Sequence, residues 1–124
     1  MTCVLAAVED LFFGAKLLET ARHLDVPLIL VRPFEEIIAQ VRERRPALVI
    51  LDLQSPAAQP LEVIRGIKAD AELRTTRVVG FLSHVQADLR ASAVEAGCDE
   101  VLPRSAFATR LPEILKPYAS VGPS

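Results

Sequence analysis

Short runs of valine, isoleucine and leucine constrain this chain more than any other feature. In residues 2–8, 27–31, 47–51 and 77–82 the apolar side chains follow one another without clean alternation, and a shorter run occupies 100–102. Each is too brief for a helix. A strand that reads as a nearly unbroken apolar run is one covered on both faces, as in a parallel sheet. The intervening segments carry helical spacing instead: Phe13, Leu17, Ala21 and Leu24 share a face, as do Phe34, Ile37, Ile38 and Val41. Leu61, Ile64 and Ile67 make a third stripe, Val85, Leu89 and Ala93 a weaker fourth. The last, Leu111, Ile114 and Leu115, is short, with Thr109 as its N-cap, Pro112 in its first turn and Pro117 ending it. Gly14 lowers the propensity of the first helix, so something is expected to pass close to it.

Strand and helix thus alternate five times, which calls for one α/β domain over residues 1–124, a five-stranded parallel sheet with helices on both faces, and a disordered tail from about residue 119. The usual order for such a sheet is 2-1-3-4-5, the flavodoxin-like arrangement. At 124 residues the chain has length for a single core. A net charge of -2 gives no whole-molecule attraction to nucleic acid or to an anionic membrane. No apolar run reaches the ~18 residues of a membrane span, and "MTCVLAAVED" lacks the basic start of a secretory signal. Cys3 and Cys98 have no metal-site spacing and are too few for a disulfide framework. A cytoplasmic setting follows.

In open parallel sheets, function gathers at the carboxyl ends of the strands. Asp52 ends the third run, in "ALVILD", Glu9 and Asp10 follow the first, and Ser83 and Arg104 follow the fourth and fifth. With strands one and three as neighbours, three carboxylates converge, and they need something positive among them. A hard divalent cation such as Mg2+ suits oxygen ligands from Glu9, Asp10 and Asp52; Arg104 is the other candidate. A carboxylate is also a nucleophile toward phosphorus. The plainer readings stay open beside these: Asp10 as an N-cap, Asp52 as a turn former, Arg104 as a solvated side chain.

At these residues the chain resembles the receiver domain of bacterial two-component response regulators, over almost its whole length. "RPALVILDLQSP" resembles the phospho-acceptor strand, with Asp52 at the acceptor position and Pro56 at the proline that follows it. "VVGFLSH" resembles the fourth strand, "AGCDEVLPRSAF" the fifth and its exit, and Glu9 and Asp10 match the acidic pair that holds magnesium in the family. The departures are pointed. Leu82 stands where receivers carry a threonine or serine, and Ser83 takes that part only if the strand end shifts by one residue, which turns it to the other face. Arg104 replaces the family's lysine, a planar fork for a compact ammonium. Ser105 replaces the following proline, and Val101 the aromatic switch residue.

The resemblance implies a stand-alone signalling module, not an enzyme, that works through protein–protein contact with a histidine kinase or downstream effector, or by self-association through the fourth and fifth helices. Asp52 is its phospho-acceptor candidate, Arg104 and Ser83 its phosphate-contacting candidates. Removing a positioned donor from a developing charge commonly costs a few kcal/mol, so an impaired, pseudo-receiver form is expected: slow phosphorylation with magnesium, or a fixed conformation that ignores phosphate. The alternative, a small-ligand-binding or enzymatic flavodoxin-like domain, lacks a glycine-rich phosphate loop. His84 reads as an exposed loop histidine sooner than as a ligand contact, His23 as a late first-helix residue whose partial positive charge suits the helix end, "RERRP" as a solvated helix end, and Phe12 as rim packing or a docking anchor.

Overall fold

The computed structural model describes residues 3–83 and 86–120. Five parallel strands, β1 (Val4–Ala7), β2 (Leu28–Val31), β3 (Leu48–Asp52), β4 (Arg77–Leu82) and β5 (Glu100–Pro103), alternate with α1 (Leu11–His23), α2 (Phe34–Arg44), α3 (Pro60–Ala69), α4 (Ala87–Ala96) and α5 (Arg104–Leu115). The sheet order is β2-β1-β3-β4-β5, as the alternation predicts. Pairing is in step across the centre: Leu5 faces Ile29 on one side and Val49 on the other, and Ile50 faces Val79.

The unbroken apolar runs have a direct cause. Successive strand residues point to opposite faces, and both faces are covered. Leu5, Ala7, Val49, Leu51, Val78 and Leu82 pack with α2, α3 and α4 through Ile37, Val41, Val63, Ile64, Ile67 and Ala93. Val4, Ala6, Leu48, Ile50, Val79 and Phe81 pack with α1 and α5 through Phe13, Leu17, Ala21, Phe107, Leu111 and Leu115. Each large apolar side chain taken fully out of water contributes about 1.5–3 kcal/mol, so neither face tolerates a polar alternation. The close approach at Gly14 is real: a Cβ there would lie 3.2 Å from Leu30 Cδ1 of β2.

The last helix differs from its expected form. It starts at Arg104, not after Thr109, and carries Pro112 inside it. Phe107, Leu111 and Leu115, spaced by four, are fully buried and hold a single stripe along its length; that burial outweighs the missing Pro112 N–H. Thr109 caps nothing: its hydroxyl donates to the Ser105 carbonyl one turn back, at 3.0 Å. Pro117 lies in a short 3-10 turn, Lys116–Tyr118, beyond the helix. Ala119 is partly packed on the α1/α5 layer and the Ser120 N–H donates to the Asp25 carbonyl at 2.7 Å. Thr2, His84, Val85 and residues 121–124 lie outside the described residues. No helix among the described residues is long and apolar enough to cross a membrane.

Candidate functional site

Asp52 is the final residue of β3, paired in register with Phe81. The next residue fixes its height. Leu53 is buried, donates its N–H to the Phe81 carbonyl at 3.0 Å, and lays its side chain over β4 where Gly80 has no Cβ. A Cβ at Gly80 would come within 2.8 Å of Leu53 Cγ and Cδ2. Asp52 Oδ1 accepts from the Gln54 N–H at 2.9 Å, the turn-forming role of an Asp at a strand end. The side chain is half-buried, and that burial pushes its pKa up; the Gln54 N–H and the Arg104 charge oppose the rise, while the Glu9 and Asp10 charges add to it. Acids some forty positions apart in sequence therefore act on Asp52 in one electrostatic site.

Asp10 does two things at once. As N-cap of α1, its Oδ1 accepts from the Phe12 N–H at 2.9 Å and the Phe13 N–H at 3.1 Å. Its Oδ2 accepts from Arg104 Nη2 at 2.5 Å. The Phe13 N–H first, then Arg104, hold its pKa below the ordinary carboxylate value. Glu9 beside it is exposed.

Arg104 is the first residue of α5, and its guanidinium lies 4.6 Å above the Phe13 ring centroid and 6.0 Å from that of Phe81. Below it, Phe13, Phe81 and Phe107 form a triangle of rings with centroids 5.1, 5.1 and 5.8 Å apart. The cation thus has an aromatic floor and a carboxylate wall. Sequence reading brought Arg104 to the acids but missed the floor, although Phe13 and Phe81 both belong to the layer under α1 and α5; strand parity carries that signal.

The other expected contacts go elsewhere. Leu82 is buried in the α2/α3/α4 layer, and so is Val101. Ser83 is exposed; its hydroxyl donates to Gln54 Oε1 at 2.7 Å, and its N–H donates to the same oxygen, also at 2.7 Å. Gln54, which no motif singles out, therefore joins the β3 and β4 ends.

A divalent ion asks for several oxygen ligands at once. Among the described residues no three His, Cys, Asp or Glu side chains are grouped to hold a metal ion, and both oxygens of Asp10 are engaged. Glu9, Asp10 and Asp52 have the right donor chemistry, but as arranged they do not fit the ion.

No protein-family model matches the chain. It is 27% identical over 119 residues to the polar-differentiation response regulator DivK of Brucella ovis, covering 95% of this chain and 97% of that protein. With DivK of Brucella anthropi the identity is 29% over 83 residues, covering 67% and 68%. A response regulator from Hahella chejuensis superposes with a TM-score of 0.86 at 21% identity over 100% of this chain and 99% of that one. The chemotaxis response regulator CheY4 of Vibrio cholerae gives 0.82 at 14%, covering 95% and 98%. The Mn(2+)-bound form of response regulator Rcp1 gives 0.78 at 21%, covering both chains fully. The chain resembles response-regulator receiver domains in sequence over nearly all its length and has their fold.

Proposed function

We propose that this chain is a receiver-type signalling module that acts through contact with other proteins, with Asp52 at the phospho-acceptor position and weakened phosphoryl chemistry. One observation carries the reading: a half-buried aspartate at the carboxyl end of the central strand, beside an acid pair and a cation. Asp52 Oδ2 makes no hydrogen bond to protein among the described residues, which leaves it free to attack phosphorus. What weakens the chemistry is equally local. Leu82 turns its side chain into the α2/α3/α4 layer and brings no hydroxyl to the strand end, Ser83 is tied to Gln54, and Arg104 is turned to Asp10. A transition state short of positioned donors forms more slowly by orders of magnitude. Divalent binding by Glu9, Asp10 and Asp52 enters this reading only with Arg104 displaced from Asp10.

A protein partner, whether a kinase, an effector or a second copy, would meet apolar surface at the rim. Phe12 is 90% and Leu11 67% exposed immediately after Asp10. The fold and the signalling role both suit a cytoplasmic protein. The test is incubation with acetyl phosphate and magnesium followed by intact-mass measurement. A slow gain of one phosphoryl group in the wild type, lost in Asp52→Asn, supports the acceptor assignment. A gain that persists in Asp52→Asn removes it, and no gain under forcing conditions leaves only the phosphate-independent form of the module.

A further inference from the structure

The acid pocket contains its own cation, and the way that cation is held sets it apart from a mobile surface charge. We infer that Arg104 is a resident counter-ion that closes the Glu9–Asp10–Asp52 pocket to divalent cations. The inference rests on the geometry and holds whether or not the chain signals.

Three features converge on it. The guanidinium donates to Asp10 Oδ2 while Oδ1 of the same carboxylate caps α1. It also lies on the Phe13 ring, with Phe81 at the edge of the same seat. Guanidinium is planar and weakly hydrated, so it gains from an aromatic face in a way that a compact ammonium does not. Finally, Arg104 stands at the N-terminus of α5, where a positive charge is unfavourable unless an anion answers it. Asp10 is that anion. A metal ion that takes Asp10 as a ligand sets its charge against the guanidinium already on Oδ2, and displacing that guanidinium leaves a cation on an apolar seat at the wrong end of a helix. The protein's own charge therefore competes with any divalent ion for the same oxygens.

Among the described residues the charged groups of the site are Glu9, Asp10, Asp52 and Arg104, so removing Arg104 leaves three acids without a cation among them. The test is titration of Mn2+ into the full-length chain with no phosphate donor present, read as loss of the free-ion EPR signal. Wild type is expected to leave the signal nearly unchanged, and Arg104→Met to remove it with affinity at least ~tenfold tighter, a tenfold gain being 1.4 kcal/mol. Adding Asp10→Asn to Arg104→Met should abolish the gain, which assigns it to this pocket. Wild type taking up Mn2+ as tightly as Arg104→Met would overturn the inference, as would a folded Arg104→Met, by circular dichroism, that binds no better than wild type. If Arg104→Met does not fold, Arg104→Lys keeps the charge without the ring seat. It should then bind more tightly than wild type, and equality would overturn the inference. Because phosphorylation is not read here, a failure of the acetyl phosphate experiment bears on the receiver reading alone.

Discussion

Changing Leu82 to threonine tests whether the missing hydroxyl is a simple omission or is built into the packing. Leu82 is 3% exposed and sits in the α2/α3/α4 layer at the end of β4, among residues that include Val101. Leu82→Thr removes methyl groups from a packed layer and brings in a hydroxyl with few partners. Truncating a buried leucine costs roughly 2–5 kcal/mol. Threonine retains one methyl, but an unsatisfied buried hydroxyl adds about 1–3 kcal/mol. Less about 0.8 kcal/mol for the methyl that threonine keeps, these give a loss of about 2–7 kcal/mol. With an unfolding entropy near 2.1 cal/mol/K per residue, the midpoint of this chain should fall by about 8–27 °C. Denaturant unfolding of wild type, Leu82→Ala and Leu82→Thr, with acetyl phosphate labelling in parallel, checks both halves. Threonine should be no more stable than alanine and should leave labelling slow, because the position 82 side chain packs in the layer under α2, α3 and α4. A loss below ~1 kcal/mol together with faster labelling would refute the reasoning, since it would mean the strand end swings readily to bring the hydroxyl to Asp52.

Asp52→Asn should stabilise the fold at neutral pH. A pKa raised in the folded state means that stability is lost as pH rises from the ordinary carboxylate value through the raised one, so the variant's advantage should vanish in acid. Asp10, with its lowered pKa, contributes stability that is lost as pH falls, and it does so in both proteins, so the difference between their pH–stability curves reports Asp52 together with its coupling to Glu9, Asp10 and Arg104. Gly97→Ala should destabilise by about 1 kcal/mol or more in the same denaturant assay. Its φ of +113° ends α4, and a Cβ there would lie 2.7 Å from Lys68 Cγ.

The sheet was legible because its cause is written residue by residue: both faces are covered, so Val4–Ala7 and Leu48–Leu51 read as continuous apolar runs. Asp52 was legible for the same reason, as the first charge after such a run. The start of α5 was not. Between Pro103 and Leu111 only Phe107 is a large apolar residue that marks the buried face, and Pro112 imitates a first-turn proline. The competing readings of Asp10 and Asp52 also proved compatible. Asp10 is a cap and an ion-pair partner, and Asp52 closes a turn while ending a strand in the acid site. A one-dimensional pattern offers such roles as rivals because each is judged from local neighbours, whereas a carboxylate has two oxygens and several lone pairs to divide between them. The seat joins Phe13 of α1 to Phe81 of β4, and the tie between Gln54 and Ser83 joins two strand ends; strand parity assigns Phe81 to its layer, but spacing does not reveal which residues of separate elements meet.

The bare backbone at Gly80 reaches further than its own position. Because Leu53 fills the space a methyl group would occupy, any side chain grown at residue 80 would lift the segment that follows the acidic residue at the tip of β3. The elevation of that carboxylate above the sheet is thus set from the neighbouring strand. Drift at position 80 would retune the site without altering any residue that touches it.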